Sequence, residues 1–279
     1  MILKPEAIEK YYMVNGSLTS TDNLNIFYSI EKPPIYEVIR VIDGIPLFLE
    51  DHLERMRKSG ELVGVNINRL GKDIEKDLMK LIEANGIKNL NVKLLCADIE
   101  GKGQVFLAYF IKSFYPPDEY YRDGIHTILF HHERENPNAK VLKSSFKEEV
   151  ANKLEENNAF EALLVNKDGY ITEGSRSNMF FVKEKKIYTA PKGAVLLGIT
   201  RQHIMEVCKE LNIEVVEENI HVDDLQTLNG AFMSGTSVNV LPISTIDNIK
   251  LDSVNNHIIR KVANGYENKM KEYIKSKTL

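Results

Sequence analysis

Alternating apolar and polar positions place two hairpins early in the chain. Tyr11 to Val14 reads as a strand entering a tight turn at Asn15-Gly16, a pair that readily takes positive φ. Ile35 to Val41 and Pro46 to Leu49 read as a second hairpin with Asp43-Gly44 at its tip. From Glu50 to Gly64 the apolar residues Leu53, Met56, Leu62 and Val63 fall at roughly helical spacing, with Asp51 as the expected N-cap. Asp73 to Ala84 is a second amphipathic helix, stopped by Asn85-Gly86. Asn91 to Asp98 and Gln104 to Lys112 are apolar strands joined through Gly101 and Gly103.

Tyr115-Pro116-Pro117-Asp118 interrupts this pattern, because consecutive prolines disallow both a helix interior and ladder pairing. Beyond it come a strand at Ile125 to Phe130, a polar loop through Asn136-Pro137-Asn138 and a helix from Ser144 to Asn157. A strand from Glu161 to Asn166 and a turn at Asp168-Gly169 lead to a short polar turn bearing Glu173, with a further strand behind it. A helix at Thr200 to Leu211, strands at Ile213 to Glu217, Ala231 to Ser234 and Val240 to Asp247, and a charged helix from Ser253 to Ile274 complete the reading. The expected organisation is mixed α/β (α+β) in two domains: a smaller one at 1–114, a linker at 115–121 and a larger one at 122–279.

Composition narrows the function classes. A net charge of −4 gives no electrostatic footprint for nucleic acid or an anionic membrane surface. The N-terminal Met1 to Glu6 is charged and broken by Pro5, unlike a signal peptide, and no apolar run approaches the ~18 residues of a membrane helix. Cys96 and Cys208 are far apart and form no CxxC pair, which fits reduced core residues of a cytoplasmic protein. No metal site and no strand-GxGxxG-helix for a nicotinamide cofactor is expected.

The chemistry concentrates between Ile171 and Arg201. Glu173, Ser175, Asn178, Met179 and Phe180 are followed by Ile187 and Thr189, then by Leu196, Gly198, Ile199 and Arg201. This spacing resembles the signature of the class IV aminotransferases, enzymes dependent on pyridoxal 5'-phosphate (PLP). The resemblance implies a two-domain, fold-type IV, D-amino-acid aminotransferase-like architecture with the cofactor between the domains. It also implies a homodimer and transamination between an amino acid and a 2-oxo acid.

The same resemblance assigns candidate roles. PLP chemistry needs a lysine that forms a Schiff base and shuttles a proton, and family members carry it about thirty residues before the signature glutamate. Lys143 meets that spacing, with Lys140 as runner-up and Lys147 expected inside a helix; a solvated surface lysine is the ordinary alternative for each. Glu173 resembles the carboxylate that keeps the pyridine nitrogen protonated, although an exposed turn glutamate would read alike. Gly198, Ile199 and Thr200 open a helix whose free N–H groups favour the phosphate. Thr236, in Ser234-Gly235-Thr236-Ser237, and Arg55 resemble further phosphate contacts, with His52 placing Arg55. Tyr36, Arg40 and Ser237 line up with the substrate side, and Asn178 with a structural hydrogen bond.

The chain also departs from the pattern. Ser29 to Pro34 replaces a glycine-rich approach to the Tyr36 strand. No Arg-x-His lies on the strand matching Leu94 to Asp98, and Asn239 stands where a glutamate is common. These departures touch the substrate side, and leave two alternatives to transamination: an aminodeoxychorismate lyase-type enzyme releasing pyruvate, and a non-catalytic PLP-binding protein.

Overall fold

Asn15-Gly16 and Asp43-Gly44 both turn the chain in the left-handed region, with φ of 48°, 87°, 52° and 79° in order. They close the hairpins β1 (Tyr11–Val14) with β2 (Ser17–Ser20) and β3 (Ile35–Ile42) with β4 (Ile45–Pro46), on either side of a single turn of helix, α1 (Asn25–Tyr28). Then follow α2 (Leu49–Leu62), α3 (Gly71–Asn85), β5 (Leu90–Ile99) and β6 (Gly103–Ile111). The computed structural model describes residues 4–132, 140 and 144–278. They divide into two compact units; the first holds the chain up to Phe114, Lys140 and the residues from Tyr273 on.

In the first unit one antiparallel sheet runs β2-β1-β6-β5-β3-β4. Strand β3 alternates strictly between buried and half-buried residues, so the period of two sends its side chains to two different layers. Ile35, Ile39 and Val41 join Met56 of α2 and Ile74, Leu78 and Leu81 of α3. The opposite face carries an aromatic layer of Tyr12, Tyr109 and Phe27 of α1, with Tyr36 against it. The second strand of the β3 hairpin is only Ile45–Pro46, and α2 begins at Leu49 rather than Glu50. Asp51 is not its cap: Phe48, left-handed at φ 51°, takes that place without a side-chain bond, and Asp51 lies in the first turn.

The second unit contains α4 (Asp118–Asp123), β7 (Ile125–His131), α5 (Ser144–Glu156), β8 (Glu161–Val165), β9 (Tyr170–Gly174), β10 (Asn178–Lys183), β11 (Lys186–Thr189), α6 (Ile199–Glu210), β12 (Val215–Glu217), β13 (Ile220–His221), β14 (Gly230–Gly235), β15 (Asn239–Ile246), β16 (Ile249–Lys250) and α7 (His257–Lys277), whose last residues count with the first unit. Its mixed sheet runs β12-β11-β10-β14-β15-β7-β8-β9-β13. Strand β8 lies parallel to β7 and is buried throughout, as an apolar run inside a sheet should be. One face of β10 and β14 contributes Met179, Phe181, Ala231 and Met233 to the core with Leu241 and Ile243 of β15. On the other face Phe180 stacks on Phe232 at 4.8 Å.

Residues 115–121, read as a linker, lie within the second unit, and the prolines precede a helix. Glu173, read as a turn residue, sits inside β9 with 3% exposure; the turn comes after it, at Ser175 to Ser177. Among the described residues no helix is long and apolar enough to cross a membrane.

Candidate active site

In the second unit, Glu173 and Asn178 flank the turn that joins β9 to β10. Both are buried, and both reach one residue on the segment before α6. The Leu196 N–H donates to Glu173 Oε2 at 3.3 Å, and Asn178 Nδ2 donates to the Leu196 carbonyl at 2.8 Å. This clamp brings the chain so close that a Cβ on Gly198 would lie 2.2 Å from Asn178 Oδ1. A glycine is therefore required there by space, not by dihedral angle. Gly198 is the N-cap of α6 with no side-chain cap, so the first N–H groups of the helix, from Ile199 and Thr200, open onto this corner.

The other signature residues hold the same frame. Thr189 Oγ1 donates to the Met179 carbonyl at 2.7 Å, tying the end of β11 to β10. Arg201, 3% exposed, donates through Nη2 to the Ala190 carbonyl at 3.0 Å and to Glu217 at 3.2 Å. Ser234 faces Asn178 across the β10–β14 register, and its buried Oγ has no hydrogen-bond partner. Thr236 and Ser237 lie in the tight turn from β14 to β15, closed by the Val238 N–H to the Gly235 carbonyl at 3.1 Å. Asn239 ends that turn at φ 52°, a left-handed position that asparagine tolerates and glutamate takes less readily. The donor set of this corner fits a ligand with a protonated ring nitrogen and an anionic group: a buried carboxylate, uncapped helix N–H groups and an orphaned hydroxyl.

The first unit presents a different set. Glu37 is fully buried on the helix-facing side of β3, where α2 brings Arg55 and His52 against it. Arg55 Nε donates to Oε1 at 2.8 Å and Nη2 to Oε2 at 2.6 Å, while His52 Nδ1 donates to Oε2 at 2.7 Å. Burial alone would raise the Glu37 carboxyl, but the Arg55 charge and the three hydrogen bonds hold it at about 2. Burial pushes His52 below its ordinary value against the opposing pull of Glu37. His52 thus shares a carboxylate with Arg55.

Tyr36 and Arg40 point to the opposite face of β3. Two ammonium groups stand near the Tyr36 ring, Lys140 Nζ at 4.9 Å from its centroid and Lys93 Nζ at 5.1 Å. Lys93 is only 2% exposed and is ion-paired with Glu6. Across the β5–β6 register lies Tyr109, whose buried hydroxyl has no hydrogen-bond partner. Lys143 lies outside the described residues. Lys147 is exposed on α5.

Reading the sequence missed Glu37, Lys93 and Glu161. Glu37 falls at a buried position of the alternating strand β3, and Lys93 and Glu161 are charges in strands buried almost throughout; that mismatch was the available signal. Glu161 opens β8 at 0% exposure.

The family model described as Amino-transferase class IV matches residues 34–246. The chain is 27% identical over 225 residues to a D-alanine aminotransferase of Bacillus licheniformis, covering 76% of this chain and 78% of that protein. It is 28% identical over 261 residues to a probable branched-chain-amino-acid aminotransferase of Rickettsia felis, covering 88% and 90%. Among solved structures, the branched-chain amino acid aminotransferase of Thermobaculum terrenum in its PLP form superposes with a TM-score of 0.83 at 20% identity, covering 96% of each chain.

Proposed function

The chain belongs to the class IV aminotransferase family, and on that premise we propose that it binds PLP and moves an amino group between an amino acid and a 2-oxo acid. The observation that carries this reading is the clamp at Leu196, where Glu173 and Asn178 bind both polar groups of one residue just before the α6 N-terminus. Bound PLP supplies an electron sink that makes the α-proton of the amino acid labile.

The chain's own residues then divide the work. Glu173, a buried carboxylate, keeps a proton on the pyridine nitrogen. The N–H groups of Ile199 and Thr200 after Gly198 and the Thr236 turn hold the phosphate. Lys143 takes the proton from the substrate Cα. Tyr36 and Arg40 face the substrate, and Lys140 beside Tyr36 supplies positive charge for its carboxylate. The assembly that accompanies this reading is a homodimer in the cytoplasm, checked by sedimentation of the purified protein.

A half-reaction tests the proposal. The PLP-loaded protein, mixed with a panel of L- and D-amino acids without an acceptor, should convert to the pyridoxamine form for at least one of them. Borohydride reduction before substrate is added should fix the cofactor on Lys143, as read by peptide mapping. Pyruvate release from aminodeoxychorismate with no conversion by any amino acid assigns the chain to the lyases instead. Silence in both assays leaves only cofactor binding.

A further inference from the structure

We infer that Glu161 is a positioning residue for the cofactor: it holds the turn whose two ends carry Glu173 and Asn178, and through them it sets the Leu196 segment and the α6 N-terminus. The inference rests on the PLP reading above. Glu161 begins a strand that is otherwise apolar, and its carboxylate is fully buried. Such a charge persists only when its lone pairs are filled. Four donors fill them. Oε1 accepts from the Ala162 N–H at 2.8 Å, the Ser175 N–H at 3.1 Å and Ser175 Oγ at 2.5 Å; Oε2 accepts from Ser177 Oγ at 2.8 Å. Arg176 Nε stands 3.8 Å from Oε2 on the exposed side.

Three of these donors belong to the Ser175–Ser177 turn, so the carboxylate grips the turn at both ends. The backbone adds a bond from the Ser175 N–H to the Ala162 carbonyl at 2.9 Å and one from the Gly174 N–H to the Ser177 carbonyl at 2.8 Å. The fit is tight enough to exclude a side chain at Gly174, whose Cβ would lie 2.0 Å from Ser177 Oγ and 3.1 Å from the Glu161 carboxylate. Glu173 leads into this turn and Asn178 leaves it, and both bind Leu196. A displacement of the turn therefore moves the carboxylate meant for the ring nitrogen and the N–H groups meant for the phosphate together. Oε1 must accept, because the Ala162 and Ser175 N–H groups can only donate.

The test compares wild-type protein with Glu161→Gln and Ser177→Ala. Glutamine removes the charge and turns Oε2 into a donor that the Ser177 hydroxyl meets only by reversing its own bond; Ser177→Ala removes one donor and keeps the charge. Apo-protein is titrated with PLP, the pH midpoint of the bound-cofactor absorbance is recorded, and the unfolding curve of the apo form is measured alongside. We expect Glu161→Gln to weaken PLP binding about tenfold or more and to shift the absorbance midpoint, with a smaller change in the same direction in Ser177→Ala. Lowered apo stability with wild-type PLP affinity and midpoint would make Glu161 a packing residue and overturn the inference. If Glu161→Gln fails to fold, Ser177→Ala decides by the same two readouts. Wild-type apo-protein that takes up no PLP removes the cofactor reading itself, and this inference with it.

Discussion

A carboxylate survives on the buried face of β3 because α2 carries His52 and Arg55 three residues apart, on one side of the helix. Glu37 titrates at about 2 when folded and near its ordinary value of 4.5 when unfolded. The unfolded chain therefore binds the proton first, and stability falls as pH drops from about 4.5 to about 2. That difference amounts to about 3 kcal/mol. The depressed His52 adds to the same trend from its ordinary 6.5 downward, since it too takes a proton more readily in the unfolded chain. Denaturant titrations at pH 7, 4 and 3 should show this loss, and Glu37→Gln should flatten it; an unchanged slope in that variant would show that other carboxylates set the acid limit. Tyr36, Arg40 and Arg55 could be singled out in the sequence through the family resemblance. Glu37 could not, because its role depends on a helix meeting a strand across the core.

Between elements, the signature is legible as spacing but not as geometry. Thr189, Asn178 and Gly198 can each be picked out of the sequence, yet nothing in their order says that β11 hangs on β10 through a threonine hydroxyl or that Asn178 crosses to Leu196. Cross-strand registers are long-range facts, and Glu173 was accordingly placed on a turn when it lies inside β9. The proline pair misled for another reason. Proline cannot continue a ladder, but just ahead of a first helical turn its fixed φ and missing N–H cost nothing, so Pro117 caps α4. Gly198→Ala tests the element-level contact. Its Cβ must push Asn178 or the Leu196 segment aside, at about 1–3 kcal/mol of stability and about tenfold or more in PLP affinity. Gly193→Ala, with nothing within 4 Å of the added carbon, is the control and should change neither. Equal behaviour of the two variants in apo-protein titration and thermal unfolding would remove the clamp from the account.

For the molecule as a whole, the C-terminus returns to the first unit and finishes a helix that starts without a cap of its own. After Phe48 in its left-handed turn, the Leu49 N–H donates to the Tyr273 hydroxyl at 3.1 Å, which in turn donates to Glu50 Oε2 at 2.7 Å. The Tyr273 ring lies 4.9 Å from that of Phe48, and Lys277 pairs with the other Glu50 oxygen. No local signal could reveal a cap supplied from 224 residues away. Because α2 also carries His52 and Arg55, loosening its first turn should be felt at Glu37 as well. Tyr273→Phe loses the two hydroxyl bonds and should cost about 1–2 kcal/mol; Tyr273→Ala also loses the ring contact of a half-buried side chain and should cost more, about 2–3 kcal/mol. Hydrogen exchange locates the effect: amides at the start of α2 should lose protection in Tyr273→Ala and in a chain ended after Glu272, while those of β10 and β14 keep theirs. Unchanged protection across α2 in both would mean that the helix start is secured by the core residues Leu49 and Met56 alone.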